Sequence, residues 1–132
     1  MCEETSASKN DDNSCVSPQE AAERIAELAL SFPQAYEDRP FGDFPVYKVP
    51  SNKMFALAPI SEGAVALTLK LTPEEREVAL ALPFVSVARY VGRYGWITAR
   101  VTDGDSLTAA LEWLRESYWL KAPKSVRDAA WS

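Results

Sequence analysis

The chain has 132 residues, 47% apolar and 25% charged, which is enough for one globular domain with its own core. It contains no histidine, which removes Ser-His-Asp and Cys-His nucleophiles, histidine general bases and histidine metal ligands together. The formal net charge is −5, yet Glu3, Glu4, Asp11 and Asp12 against Lys9 place −3 of it in the first 17 residues, leaving −2 for a nearly neutral body. Such a body can carry a local basic patch but exerts no strong long-range pull on nucleic acid or anionic lipid.

Met1 to Val16 is rich in Ser, Asn, Asp and Glu and reads as a disordered acidic tail, residues 1–16. Residues 17–132 read as a single domain. Cys2 and Cys15 both fall in the tail, where free thiols are the expectation, and they are too few for a zinc site. No metal and no cofactor are expected. The acidic N-terminus lacks an apolar h-region and no apolar run spans a bilayer. A cytoplasmic protein with no membrane partner is therefore expected.

Ser17-Pro-Gln-Glu20 is a helix start, with Ser17 as cap, Pro18 at the first helical position and Glu20 closing a capping box. Ala21, Ile25, Leu28 and Phe32 then recur at helical spacing, and Pro33 ends the run. Residues 34–44 read as a connection broken by Pro40 and Gly42. Its Tyr36, Phe41 and Phe44 are too apolar for free solvent, so it folds onto the body. Glu37, Asp38 and Asp43 within it could in principle serve a magnesium or acid/base site, but solvated turn carboxylates are the commoner reading.

Three strands follow: Pro45 to Val49, Lys53 to Ile60, and Ala64 to Leu71, separated by turns at 50–52 and 61–63. The alternation of Val65, Leu67 and Leu69 with Ala66, Thr68 and Lys70 marks a sheet with one buried face. Thr72-Pro-Glu-Glu75 starts a second helix, which runs to about Leu82 before Pro83. A hairpin, Val87 to Arg100, comes next, with Gly92 and Gly95 bracketing its tip. Asp103 to Ser106 caps the last helix, striped by Leu107, Leu111, Leu114 and Tyr118. A second stripe, Trp113 and Leu120, needs cover from the C-terminal segment around Trp131 or from a second subunit.

The order is α-β-β-β-α-β-β-α, an α+β fold of two layers with an antiparallel sheet and helices on one face. The hairpin holds Arg89, Arg93 and Arg100 with Tyr90, Tyr94 and Trp96, and no acid lies between Ser86 and Thr102. With Ile97, Ala99 and Val101 facing the core, Trp96 and Arg100 point outward together.

The pieces Tyr36-Glu-Asp-Arg-Pro-Phe-Gly42, Val46-Tyr-Lys-Val49, Asn52-Lys-Met-Phe-Ala-Leu57 and Leu67-Thr-Leu-Lys-Leu71 carry a family resemblance. Tyr90-Val-Gly-Arg-Tyr-Gly-Trp96, Ser117-Tyr-Trp-Leu120 and Pro123-Lys124 complete it. In this order they resemble the MmcQ/YjbR-like family of small bacterial proteins, over about Ser17 to Arg127. The resemblance implies the YjbR-like fold, a two-layer arrangement also seen in secretion chaperones. It brings a proposed DNA-binding role through wing-like elements and no catalytic residues.

Function is thus expected to be binding without catalysis. One reading is weak, salt-sensitive DNA binding, with Arg89, Arg93 and Arg100 on phosphates, Tyr90, Tyr94 or Trp96 stacking, and Lys53 and Lys124 extending the patch. The alternative is a protein- or small-molecule-binding module whose aromatic cleft lies between Tyr36 and Phe41 of loop 36–44 and the hairpin. There the arginines would meet an acidic ligand. The same residues packing and solubilising an exposed strand pair is the third possibility. Monomer and homodimer are both compatible with the pattern.

Overall fold

The computed structural model describes residues 15–88 and 94–126. Helix α1 (Pro18–Ser31) starts as its sequence dictates: Glu20 N–H donates to Ser17 Oγ at 3.1 Å, with Pro18 in the first turn. Short strand β1 (Tyr36–Asp38) follows, then β2 (Val46–Val49), β3 (Lys53–Leu57), β4 (Ile60–Ser61) and β5 (Ala64–Lys70). Helix α2 (Pro73–Leu80) is capped by Thr72, whose Oγ1 accepts from Glu75 N–H at 3.2 Å. Strands β6 (Val85–Val87) and β7 (Trp96–Val101) and helix α3 (Gly104–Lys121) complete the order. Asp103 and Ser106 form a reciprocal capping box at the start of α3.

The sheet is antiparallel with strand order β1-β2-β3-β5-β7-β6, and β4 pairs with β5 at its side. The expected α+β order therefore holds, with two short strands added. Tyr36–Asp38 joins the sheet edge inside the segment read as a connection. Ile60–Ser61 separates from Lys53–Leu57 because Pro59 has no N–H for a continuous ladder. Glu62 and Gly63 both take positive φ (53° and 82°), forming the two-residue turn of the β4–β5 hairpin.

α3 lies across β3, β5 and β7 with α1 beside it, while α2 packs against β6 and β7. Between helices and sheet, Phe32 stacks on Tyr118 (centroids 4.5 Å apart), and Phe55 meets Tyr118 edge-on at 5.5 Å. Tyr118 Oη donates to Pro33 O at 3.0 Å, so the aromatic centre leaves that hydroxyl satisfied. The register from β2 to β3 slips between Tyr47↔Ala56 and Lys48↔Met54, which makes Phe55 an extra, bulged residue. Phe55 and Ala56 therefore both enter the core, against simple alternation.

The same bulge opens the ladder between β3 and β5, which pairs Ala56↔Leu69 and Leu57↔Thr68 only. At the next rung a helix side chain takes over. Ser117 Oγ donates to Phe55 O at 2.6 Å and accepts from Lys70 N–H at 3.0 Å. One hydroxyl of α3 thus satisfies two backbone groups that the sheet leaves without a partner.

Several expectations change. The folded region begins before Ser17, since Cys15 bridges Asp103 and Val16 N–H donates to Thr102 O at 3.0 Å. Cys15 is disulfide-bonded rather than free; it is part of the folded edge, not of a solvated extension. Trp113 is buried and packs beside Phe84 (centroids 6.1 Å apart), and Leu120 is half-buried; Trp131 lies outside the described residues.

Candidate functional site

The sheet order decides which expected site residues can act together. Arg89, Tyr90 and Arg93 lie outside the described residues. Tyr94 is 55% exposed at the near end of the hairpin. Trp96 shares its sheet face with Arg100, as alternation requires, but is only 6% exposed; it stands opposite Lys70 in the β5–β7 register. The expectation that Trp96 projects as a stacking surface is therefore corrected. Arg100 is occupied as well. Its guanidinium donates to Ser61 O at 3.1 Å and Glu62 O at 3.0 Å, clamping the β4–β5 turn across the sheet.

Among the described residues, loop 36–44 and the hairpin do not wall a common cleft. Tyr36 is on β1 and Trp96 on β7, with β2, β3 and β5 between them. Four strand spacings separate β1 from β7, about 19 Å. Tyr36 and Phe41 are exposed at the β1 end instead, and Phe41, 65% exposed, stacks on Phe44 at 5.5 Å.

Lys53 is exposed where β3 begins, and it has two cationic neighbours that its position in the sequence conceals. Lys70 ends β5, antiparallel to β3, so both lysines reach the same end of the sheet. Lys121 ends α3, one turn beyond Ser117, the residue pinned to Phe55 and Lys70. Lys121 feels both of the others: partial burial, then the charges of Lys70 and Lys53, lower its pKa. Among the described residues none of the three is ion-paired; the salt bridges are Arg39–Glu37 and Lys48–Asp38, both 2.8 Å. Lys124 is exposed beyond the α3 C-cap.

Gly95 fixes the approach of the hairpin to this corner. Its φ of 93° suits glycine, and its carbonyl accepts from Leu71 N–H at 3.1 Å. A β-carbon there would lie 3.4 Å from Leu71 O and 3.6 Å from Lys70 Cε. The hairpin backbone at Gly95 therefore runs against Lys70.

The other lysine near this end of the sheet is used internally. Lys48, nearly buried, donates to Asp38 Oδ2 at 2.8 Å and Asn52 Oδ1 at 2.7 Å, and the bond from Lys48 holds the Asp38 pKa below its ordinary value. No group of three or more His, Cys, Asp or Glu placed to hold a metal occurs among the described residues. No described helix is long and apolar enough to cross a membrane.

Fold and site define a small α+β protein built on one antiparallel sheet, with Lys53, Lys70 and Lys121 placed where β3 begins and β5 and α3 end. The chain belongs to the YjbR family, whose pattern matches residues 30–120. Among solved structures, it is similar to a Deinococcus radiodurans protein with domain DUF419, at 25% identity and a TM-score of 0.65 over 82% of this chain and 86% of that one. It shares its fold with a Pseudomonas syringae protein at 19% identity and a TM-score of 0.57, over 75% of this chain and 96% of that one. No curated protein matches.

Proposed function

We propose that the chain is a cytoplasmic, non-enzymatic module that binds nucleic acid weakly through its phosphate backbone, using Lys53, Lys70 and Lys121. The observation that supports this reading is the convergence of three ammonium groups, none ion-paired among the described residues, from three elements; Tyr94, one residue before Gly95, is exposed. Burial, then repulsion by Lys70 and Lys53, disfavours charge on Lys121 in the folded protein, so the corner is held against a stability cost, as sites kept for a ligand often are. Lysines act here as point charges on phosphate, and Tyr94 supplies a face for a splayed base. The reading centres the contact surface on the lysine corner: of the hairpin arginines, Arg100 is engaged with the β4–β5 turn, and Arg89 and Arg93 lie outside the described residues.

The test is fluorescence anisotropy with a labelled duplex DNA at low ionic strength. Three phosphate contacts give a slope of about −2.7 in log K against log salt. Changing Lys53, Lys70 and Lys121 together to alanine flattens that slope, and each single change lowers its size by about 1. Failure of the wild-type protein to bind at low salt, or an unchanged slope in the triple variant, overturns the reading.

A further inference from the structure

At the other side of the sheet a cleft of about 600 Å³ opens between α1, β1 and the segments flanking β2 and following β3. Its volume falls in the range of small-molecule sites. Ala22 and Ala26 of α1 form one apolar wall, and Phe44 and Ala58 contribute to the others. Tyr47 of β2 also lines the cleft, and its ring packs against Phe55 of the core.

Two observations are independent of one another. The first is charge. Glu23, Glu37, Asp43 and Arg39 line the cleft; Arg39 Nε is paired with Glu37 Oε2 at 2.8 Å, and Glu23 and Asp43 form no ion pair among the described residues. The cleft is thus left with two uncompensated carboxylates. The second is an orphan hydroxyl. Tyr47 is only 1% exposed, yet its phenol makes no hydrogen bond among the described residues. Among the described residues the side-chain polar atom fully enclosed without a partner is Arg76 Nε, on α2 and outside this lining, so the Tyr47 oxygen is not sealed in and meets the cleft it lines. A buried polar side chain ordinarily finds a partner.

We infer that this cleft binds a small organic cation, a protonated amine on an aromatic or aliphatic body, with the ammonium donating to Tyr47 Oη under the charge of Glu23 and Asp43. The apolar walls take the body and the carboxylates select its sign. A neutral molecule of the same shape leaves both carboxylates without a counter-charge, and an anion is repelled. Burial, with the Glu37 charge second, keeps the Tyr47 phenol in its neutral form, and that form has lone pairs to accept from an ammonium. The site stands apart from the lysine corner, and either assignment can fail alone.

The experiment titrates the full chain with tryptamine, tryptophol and indole-3-acetate, following backbone amide NMR shifts. Tryptamine moves the amides of Ala22, Phe44 and Ala58, binds roughly 10-fold more tightly than tryptophol, and indole-3-acetate leaves them in place. Tyr47→Phe keeps the ring in the core and weakens tryptamine several-fold; Glu23→Gln with Asp43→Asn, both at the surface, brings tryptamine to the tryptophol level. The triple lysine variant binds tryptamine like the wild type. Equal affinity for tryptamine and tryptophol, shifts confined to other parts of the sheet, or no shift at about 10 mM tryptamine overturns the proposal.

Discussion

Removing one oxygen atom at Ser117 tests how the sheet and α3 are joined. Ser117→Ala deletes the hydroxyl that donates to Phe55 O and accepts from Lys70 N–H, at a fully buried position. Each lost hydrogen bond contributes about 1 kcal/mol net, and each backbone group left buried without a partner costs about 1–3 kcal/mol. Partial relaxation of β3 toward β5 would recover some of this, so the expected loss is about 2–4 kcal/mol. For a domain of this size that corresponds to roughly 8–16 °C in Tm. Urea unfolding gives the free energy, and hydrogen exchange at the Lys70 amide gives the mechanism, since that amide loses its protecting acceptor. A variant within about 0.5 kcal/mol of wild type, with the Lys70 amide still protected, refutes the idea that Ser117 replaces the missing rung. The same change should loosen the lysine corner, because Ser117 sets where Lys121 meets Lys70.

Other outcomes follow from named contacts. Arg100→Gln removes the guanidinium clamp on Ser61 O and Glu62 O and should cost about 1 kcal/mol in chemical unfolding, while leaving the salt slope for DNA unchanged. Lys121→Met should raise Tm, since it relieves the burial of an ammonium and its repulsion by Lys70 and Lys53, and should weaken DNA binding in anisotropy. Tyr47, whose pKa is pushed up to about 12 from 10.0, favours the neutral phenol in the folded state. Its contribution is complete below pH 10 and is lost as pH rises from about 10 to 12, an order of 2 kcal/mol by linkage. Tyr47→Phe should flatten that alkaline arm of the stability curve, and an unchanged arm would refute the assignment. Gly95→Ala should destabilise by about 1–2 kcal/mol, read by urea unfolding, because its φ of 93° lies where a β-carbon is strained.

The elements were legible because their signals are local. Ser17, Thr72 and Asp103 each cap the helix that their sequence context announces, and Val65, Leu67 and Leu69 face the core as their period requires. The bulge at Phe55 was not legible, because a one-residue register slip leaves no compositional mark. The site was misread for a related reason. Trp96 and Arg100 do share a face, but alternation says nothing of what lies across the strand: Lys70 opposite Trp96, and two turn carbonyls within reach of Arg100. Lys121 stands in the last turn of α3, where a lysine complements the dipole, and Lys70 alternates with core residues along β5, so neither position announces a site by itself. A signal was available nonetheless. Lys53 begins one strand and Lys70 ends the next long one, and antiparallel pairing brings a start and a finish to the same end of the sheet.

The strand order also separates the two candidate surfaces in a way that net charge conceals. The lysine corner is made where β3 begins and β5 and α3 end, and the cleft with Glu23 and Asp43 is made by α1, β1 and the approaches to β2 and β4. Opposite charges therefore collect on different parts of a body whose total is close to zero. Charges this far apart are screened from one another over about one Debye length, roughly 8 Å at physiological salt, so each surface presents its own sign to a partner. This is why the salt slope for DNA should depend on the lysines and not on the cleft, and amine affinity on Glu23, Asp43 and Tyr47 and not on the lysines. A double-mutant cycle between Lys70→Ala and Asp43→Asn should be additive within about 0.5 kcal/mol in both assays; coupling beyond that would mean the two ends communicate through the sheet.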